Sequence, residues 1–262
     1  MLRNLDIAAA KVDHWESTDI LIVGGGIAGL AAGWELQRKG HDKFVLLELE
    51  DEVGGTSRGS ESGVTSYPWG AHYLPAPMAS NRPLIELLDE MGIVSGYDQQ
   101  GSPQFYEENL CRDPSERSYC DGSWHEDLGP SNPTDEERAE WGRFREEIER
   151  WVAWRDDQGR RAFGLPIATC SDAPILRELD RLSMSEWMQQ RRFDSRLVQW
   201  EVDYACRDDY GTTPDTTSAW AGLFYFASRV SKPGESSQPF LTWPEGNGRL
   251  VRHMAMRCND RI

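Results

Sequence analysis

The chain has 262 residues, which is enough for one large domain or two small ones. Its formal net charge of −16 would repel a phosphate backbone, so we expect no nucleic-acid partner. No apolar run approaches the roughly 18 residues of a membrane span, so we expect no membrane-spanning segment.

The five cysteines form no Cys-x-x-Cys pair and are odd in number, a pattern that suits neither a zinc site nor a dense disulfide framework. We therefore expect no metal site and a reducing, cytoplasmic compartment. A Cys111–Cys120 disulfide in an oxidising compartment is the alternative.

The first clear element is a short apolar run, Ile20–Val23, which predicts a strand buried on both faces. Three glycines follow, and each has its own steric role: Gly24 for a tight turn, Gly26 for close approach of a pyrophosphate, and Gly29 for close packing of helix on strand. The helix is predicted from Ile27 to Lys39. Its free N–H groups and dipole would hold a diphosphate without Lys or Arg.

A second strand, Phe44–Leu47, delivers Glu48 nineteen residues after Gly29. A carboxylate at this distance can accept hydrogen bonds from ribose hydroxyls, so the whole unit predicts dinucleotide binding. An acid rather than a base at this position favours FAD or NAD over NADP. The alternative is a structural turn that binds nothing.

A second pair of glycines, Gly54-Gly55, lies just past the predicted ribose-binding strand, and the segment Tyr67–Leu74 follows. With the first unit, this arrangement resembles the flavin-containing amine oxidase and phytoene desaturase superfamily from Asp19 to about Leu74. The resemblance implies FAD as the cofactor and a flavin ring lying against residues 70–73. The residues assigned to the cofactor are Gly24, Gly26, Ile27, Ala28, Gly29, Glu48, Leu49, Gly54, Gly55, Thr56, Ser57, Gly70, Ala71, His72 and Tyr73.

One position departs from the pattern of the superfamily. Many members have Arg directly after the glycine pair, whereas this chain has Thr56 there and Arg58 two residues later. Whether Arg58 reaches the phosphates is left open. No catalytic residue is assigned: His72 and Tyr73 are placed near the ring by resemblance, and a packed histidine is the simpler interpretation of His72.

The rest of the chain predicts further helices with short strands between them. A helix is expected over residues 83–91, and residues 97–133 are turn-rich, with strands near Tyr119 and Trp124. Capping boxes at Thr134 and Ser183 begin two more helices. An apolar helix is expected over 218–227, then a strand over 240–243 and a helix over 249–258.

Together these elements predict an α/β fold: a Rossmann-like FAD-binding βαβ domain with an inserted, mostly helical (α+β) cap domain. We expect residues 1–96 to form the first part of the cofactor domain, 97–239 the cap and substrate domain, and 240–262 a return toward the cofactor domain. No second flavin segment follows, so the C-terminal part of that domain is expected to be missing. A partner chain or a missing C-terminal half would then complete the site, and a minimal variant with a rearranged site is the alternative.

The leading functional hypothesis is an FAD-dependent, amine oxidase-like oxidoreductase that transfers hydride from a small-molecule substrate to flavin. An NAD-binding oxidoreductase that shares only the first βαβ unit is the second hypothesis. A third is a non-catalytic fragment that retains the dinucleotide-binding unit. The substrate, the electron acceptor and the oligomeric state are not indicated by the sequence.

Overall fold

A computed structural model of the protein describes residues 14–111, 116–126 and 128–262. The strands are β1 (Ile20–Val23), β2 (Phe44–Leu47), β3 (Gly59–Glu61), β4 (Ser66–Pro68), β5 (Tyr73–Pro75), β6 (Val94–Tyr97), β7 (Pro103–Phe105), β8 (Ser118–Cys120), β9 (Ser123–His125) and β10 (Phe240–Thr242). The helices are α1 (Ile27–Arg38), α2 (Arg82–Glu90), α3 (Asp135–Ala153), α4 (Pro174–Leu179), α5 (Met184–Arg191), α6 (Arg196–Tyr210), α7 (Ala219–Ala227) and α8 (Gly248–Cys258).

Over the described ranges the strands form five two-stranded sheets, β1–β2, β3–β4, β5–β10, β6–β7 and β8–β9. The chain divides into two compact units. The first comprises the residues up to Tyr73 together with Thr242–Ile262, and the second is Leu74–Leu241. The assignment of residues 1–96, 97–239 and 240–262 to cofactor and substrate domains stays a prediction.

The first unit is built on the predicted βαβ arrangement. Strands β1 and β2 are parallel, with Ile20 opposite Phe44 and Val23 opposite Leu47. Helix α1 packs against α8, and the approach is close: a Cβ on Gly33 would lie 3.1 Å from Cys258 Sγ. The apolar face of α8 therefore supplies the layer that covers α1.

The expectation that β1 is buried on both faces is wrong. Leu21 is 54% exposed and Val23 is 80% exposed, whereas Phe44 and Leu46 of β2 are buried. Ile22 points toward α1, where its Cγ2 lies 3.3 Å from the position of a Cβ on Gly29. No described element covers the opposite face of β1, because the sheet has two strands and one helical layer.

The second unit has a helical core rich in aromatic side chains. Phe144 of α3 is fully buried, and the rings of Trp141, Trp187, Phe193 and Phe226 lie 5.2–6.2 Å from its centroid. The apolar stripe of α3 is thus part of the core, as predicted. Its buried and partly buried neighbours come from α4, α5, α6 and α7.

Both predicted capping boxes are present. The Thr134 hydroxyl accepts from Glu137 N while the Glu137 carboxylate accepts from Thr134 N, and Ser183 and Glu186 make the same pair of bonds. Each box satisfies backbone donors that a helix leaves free in its first turn.

Helix α6 was not predicted from the sequence. Its N-cap, Ser195, accepts from Val198 N, and Gly211 ends the helix in the left-handed conformation (φ 66°). Within the described segments, no helix is both long and apolar enough to cross a membrane. None of the five cysteines forms a disulfide in the part of the chain that the structure describes.

Candidate functional site

The first glycine turn joins β1 to α1 in the predicted manner. Gly24 has φ 104°, a conformation that side chains disfavour, and its N–H donates to Leu47 O at 2.7 Å. A Cβ on Gly29 would lie 1.9 Å from Gly24 O, so the helix can approach the strand only with glycine at this position. These two glycines are therefore required by the protein's own backbone.

Gly26 differs from both. Its backbone is extended (φ −68°, ψ 180°), and a Cβ there would meet no protein atom within 4 Å. It is the N-cap of α1 with no side-chain hydrogen bond, and the first turn of α1 carries no acidic residue. Ile27 and Ala28 are exposed beside it. The open space and the free N–H groups at the positive end of the helix dipole fit a diphosphate.

Glu48 lies at the end of β2 and is tied to the glycine turn. Its Oε2 accepts from Gly25 N at 2.7 Å, and its Oε1 accepts from Leu49 N at 2.7 Å and Glu50 N at 2.9 Å. The Glu50, Gly25 and Leu49 amides hold the pKa of this carboxyl below its ordinary value. A carboxylate has about four acceptor sites, so capacity for a ribose hydroxyl remains. Sequence reasoning missed the three backbone bonds.

The second glycine pair sits against the first turn. Gly54 N donates to Gly25 O at 2.8 Å, and Gly54 pairs with Gly26 in an isolated parallel bridge. The 3-10 turn of residues 55–57 follows, with Ser57 buried. The two glycine segments, distant in sequence, are therefore adjacent in space.

The segment Gly70–Tyr73 joins the same assembly, because Ala71 N donates to Thr56 O at 3.1 Å. His72 is exposed, and its Nδ1 lies 3.1 Å from Gly70 O. The rings of His72 and Tyr73 meet edge to face at 5.0 Å. Its contacts within the described ranges are the Gly70 carbonyl and the Tyr73 ring, and they assign it no catalytic role.

Two residues that were not predicted from the sequence support this segment by donating hydrogen bonds to its carbonyls. Thr242 Oγ1 donates to His72 O at 2.9 Å, and Asn247 Nδ2 donates to Tyr73 O at 3.0 Å. Asn247 N also donates to Ala71 O, while Asn247 Oδ1 is buried without a hydrogen-bond partner. Neither residue belongs to a motif that spacing alone reveals, since each acts across about 170 residues of chain.

We call these segments the glycine ridge: Gly24–Gly29, Glu48–Leu49, Gly54–Ser57 and Gly70–Tyr73. Backbone and carboxylate hydrogen bonds connect them in the order Glu48, Gly25, Gly54, Thr56 and Ala71. All fifteen residues assigned to the cofactor lie in these four segments of the first unit. The residues present thus fit an elongated dinucleotide with its diphosphate over the start of α1.

Arg58 lies next to the ridge. Its Cγ is 2.7 Å from the position of a Cβ on Gly54, so its side chain packs over that glycine. Its charge contributes, as the smallest of several causes, to the lowered pKa of Glu48. No group of three or more His, Cys, Asp or Glu side chains in the described part of the chain is arranged to hold a metal ion.

The parallel strands, the glycine turn and helix α1 define a Rossmann-like unit. Comparison with known families agrees: residues 22–91 match the family described as NAD(P)-binding Rossmann-like domain. The confirmed part of the predicted fold class is this Rossmann-like domain within a mixed α/β chain.

The curated relatives of the chain include flavoenzymes. A putative flavin-containing monoamine oxidase, AofH of Mycobacterium tuberculosis, is 29% identical over 203 residues, which cover 74% of this chain and 38% of that relative. The FAD-containing monooxygenase EthA of the same species is 30% identical over 94 residues, covering 32% of this chain and 19% of that relative.

Solved structures share the fold. Putrescine oxidase bound to putrescine has a TM-score of 0.59 at 17% identity, and the match covers 93% of this chain and 50% of that one. Cyclohexylamine oxidase from Brevibacterium oxydans has a TM-score of 0.57 at 18% identity, covering 94% and 50%. The resemblance to flavin-containing amine oxidases predicted from the sequence is therefore confirmed. The chain spans about two fifths of the length of AofH and half of the length of the two oxidases of known structure.

Proposed function

We propose that the glycine ridge binds FAD and that the chain is part of an FAD-dependent, amine oxidase-like oxidoreductase. The observation that carries this proposal is the open space at Gly26, above free N–H groups of α1, in a chain whose relatives are flavin-containing oxidases. FAD, once bound, would supply the hydride-accepting chemistry.

The residues of this chain would bind and orient the cofactor. The N–H groups of Ile27 and Ala28 would meet the diphosphate, Glu48 would accept from a ribose hydroxyl, and Gly70–Tyr73 would support the flavin ring. Thr242 and Asn247 would keep that last segment in place through the carbonyls of His72 and Tyr73. No catalytic residue is proposed, since flavin oxidation of an amine needs few protein acids or bases.

The helical second unit would form the substrate side of the enzyme, as a cap inserted between the two parts of the first unit. An oxidisable C–H next to nitrogen in a small molecule is the proposed substrate class, supported by relatives described as amine oxidases. Completion of the site by a further segment or a partner chain, and a cytoplasmic location, stay predictions.

An NAD-binding oxidoreductase is the second candidate, because the family that matches residues 22–91 is described as NAD(P)-binding. A chain that binds a dinucleotide without catalysis is the third. Cofactor identity separates the first two candidates, since a bound flavin absorbs visible light and NAD does not.

The test compares Gly26→Val with Gly63→Val after incubation with FAD and gel filtration. Both glycines are open, with no protein atom within 4 Å of the position that a Cβ would take, so neither change should disturb the fold. We expect the wild type and Gly63→Val to retain flavin absorbance and Gly26→Val to lose it, because the new side chain would occupy the place of the diphosphate. Stoichiometric flavin in Gly26→Val would overturn the assignment of the ridge.

Anaerobic addition of putrescine or cyclohexylamine to the flavin-loaded chain tests the reaction class. Bleaching of the flavin absorbance supports amine oxidation. A flavin that stays oxidised with both amines contradicts amine oxidation of this kind. The proposal that the chain binds FAD would then still hold. Flavin retention is measured before any amine is added, so a failure of amine oxidation is distinguished from a failure of flavin binding.

A further inference from the structure

A cavity of about 1040 Å³ lies wholly within the second unit and is lined by both apolar and charged side chains. Three basic side chains and two acidic ones line it: Arg155, Arg161, Lys232, Asp98 and Glu235. Its volume lies near the upper end of the range typical of small-molecule sites. Neither the glycine ridge nor the comparisons assign it a role.

Two of the basic residues form an unusual pair. Arg155 and Arg161 face each other in an isolated antiparallel bridge, which places like charges on opposite chain segments. Within the described ranges neither makes an ion pair with a carboxylate. Two acids close in sequence, Asp156 and Asp172, pair with Arg160 instead. Asp98 and Glu235 also line the cavity, but they form no ion pair with either arginine in the described part of the chain. The cavity therefore has two guanidinium groups without an anionic partner among the described residues.

Arg161 is a fixed, half-buried source of positive charge. Its Nη2 donates to Val230 O at 2.6 Å and to Ala227 O at 3.2 Å, and its Nε is buried without an acceptor. Burial lowers the pKa of Arg161, and the charge of Arg155 lowers it further. Its Nη1 also donates to Ser231 O at 3.4 Å and lies 3.2 Å from Met78 Sδ. Because both terminal nitrogens already have acceptors in the protein, Arg161 acts on a ligand mainly through its charge.

Arg155 is exposed and has hydrogen-bonding capacity to spare. Its Nη1 donates to Val152 O and Trp154 O, both at 2.7 Å, which fixes one corner of the guanidinium against the end of α3. In the part of the chain that the structure describes, Nε and Nη2 make no hydrogen bond. These two atoms form the edge of a guanidinium that binds a carboxylate through two parallel N–H···O bonds.

We propose that this cavity is a binding site for a small molecule carrying one carboxylate, with Arg155 as the direct ligand and Arg161 as the charge behind it. The basic side chains exceed the acidic ones by one, so a monoanion neutralises the site and a phosphate dianion meets repulsion from Asp98 and Glu235. Hydroxyl and amide groups of Ser80, Ser231 and Gln104 also line the cavity and can bind polar parts of the ligand.

This site is independent of the proposed flavin function, because every lining residue belongs to the second unit and none belongs to the glycine ridge. Flavin retention and carboxylate binding are measured separately. Failure of one therefore leaves the other standing.

The experiment is calorimetric titration of the full chain at constant ionic strength with benzoate and hexanoate, each compared with its uncharged amide. We expect the acid to bind at least about tenfold more tightly than the amide, because a charge-assisted bond is lost in the amide. Arg155→Gln should lose about tenfold or more of the carboxylate affinity. Arg145→Gln, an equal charge change on the exposed side of α3, should bind as the wild type does.

Arg155→Lys guards against a folding effect, since it keeps the charge and should keep part of the affinity. Equal binding of acid and amide, absence of binding by both carboxylates, or full affinity in Arg155→Gln would each overturn the proposal. Phenyl phosphate is titrated as a dianion for comparison. Tighter binding of phenyl phosphate than of benzoate would contradict a monoanion site.

Discussion

Single residues of the glycine ridge divide into those that the backbone needs and those that leave room for a ligand. Gly29 is required because a Cβ would overlap Gly24 O, whereas Gly26 faces open space. Glu48 has both a structural role and a proposed ligand-binding role. Its carboxylate accepts from three backbone amides and keeps an acceptor site for a ligand hydroxyl. This double role means that a loss of cofactor in a Glu48 variant would not by itself identify a ribose ligand.

The pH dependence of stability tests the structural part of that role. The backbone amides lower the pKa of Glu48 in the folded protein. A lowered pKa contributes stability above the unfolded value, and this contribution disappears as the pH falls through the folded value. Glu48→Gln should therefore destabilise the chain at neutral pH and progressively less below about pH 4.3.

Urea unfolding of wild type and variant across this pH range provides the measurement. Glu50→Gln is the matched control, because it removes a neighbouring acid whose backbone, not side chain, takes part in the bonds to Glu48. A destabilisation by Glu48→Gln that is the same at neutral and acidic pH would contradict the assigned hydrogen bonds.

Among the secondary-structure elements, the sequence was sufficient to predict those helices and strands whose ends are marked by residues close to them in the chain. The capping boxes at Thr134 and Ser183 are predictable because the partner lies three residues away. Helix α6 carries comparable signals in Ser195 and Gly211, but these were not recognised in the sequence analysis. The support that Thr242 and Asn247 give to Gly70–Tyr73 could not have been found in this way, because the partners of these two residues lie about 170 residues earlier.

The support from Asn247 can be tested by substitution. Asn247→Ala removes the donor to Tyr73 O, and the carbonyl then has to be left unpaired or rehydrated, so we expect the free energy of unfolding to fall by about 1–3 kcal/mol. Flavin retention should weaken in parallel, because the segment Gly70–Tyr73 loses a support. Urea unfolding and flavin absorbance give the two values.

Asn259→Ala is the control for Asn247→Ala. Asn247 precedes helix α8, and Asn259 is an exposed asparagine directly after the same helix. We expect it to change stability by no more than about 0.5 kcal/mol. If Asn247→Ala behaved like this control, the Asn247 side chain would not be supporting the proposed flavin segment, Gly70–Tyr73.

In the molecule as a whole, the second unit depends on a core in which aromatic rings meet around Phe144. Helices α3, α4, α5, α6 and α7 all supply residues to this core. The unit is therefore expected to unfold as one, since few of its helices could bury their apolar faces separately.

Phe144→Ala should lower the free energy of unfolding by about 3–5 kcal/mol, through lost burial and the cavity left behind. Trp124→Ala is the matched control, because that ring is 69% exposed, and its effect should be within about 0.5 kcal/mol. Denaturant titration followed by circular dichroism measures both. A small effect at Phe144 would show that the rings around it repack without loss.

The order of residues along the chain was enough to predict the glycine turns, the acid after the second strand and the resemblance to flavin-containing amine oxidases, because each depends on steric and hydrogen-bonding needs within a short segment. The exposure of Leu21 and Val23, the support of His72 and Tyr73 by Thr242 and Asn247, and the pairing of Arg155 with Arg161 over a cavity became visible in the folded chain alone. Burial and long-range pairing depend on which distant segments meet, and spacing within one segment carries no record of that.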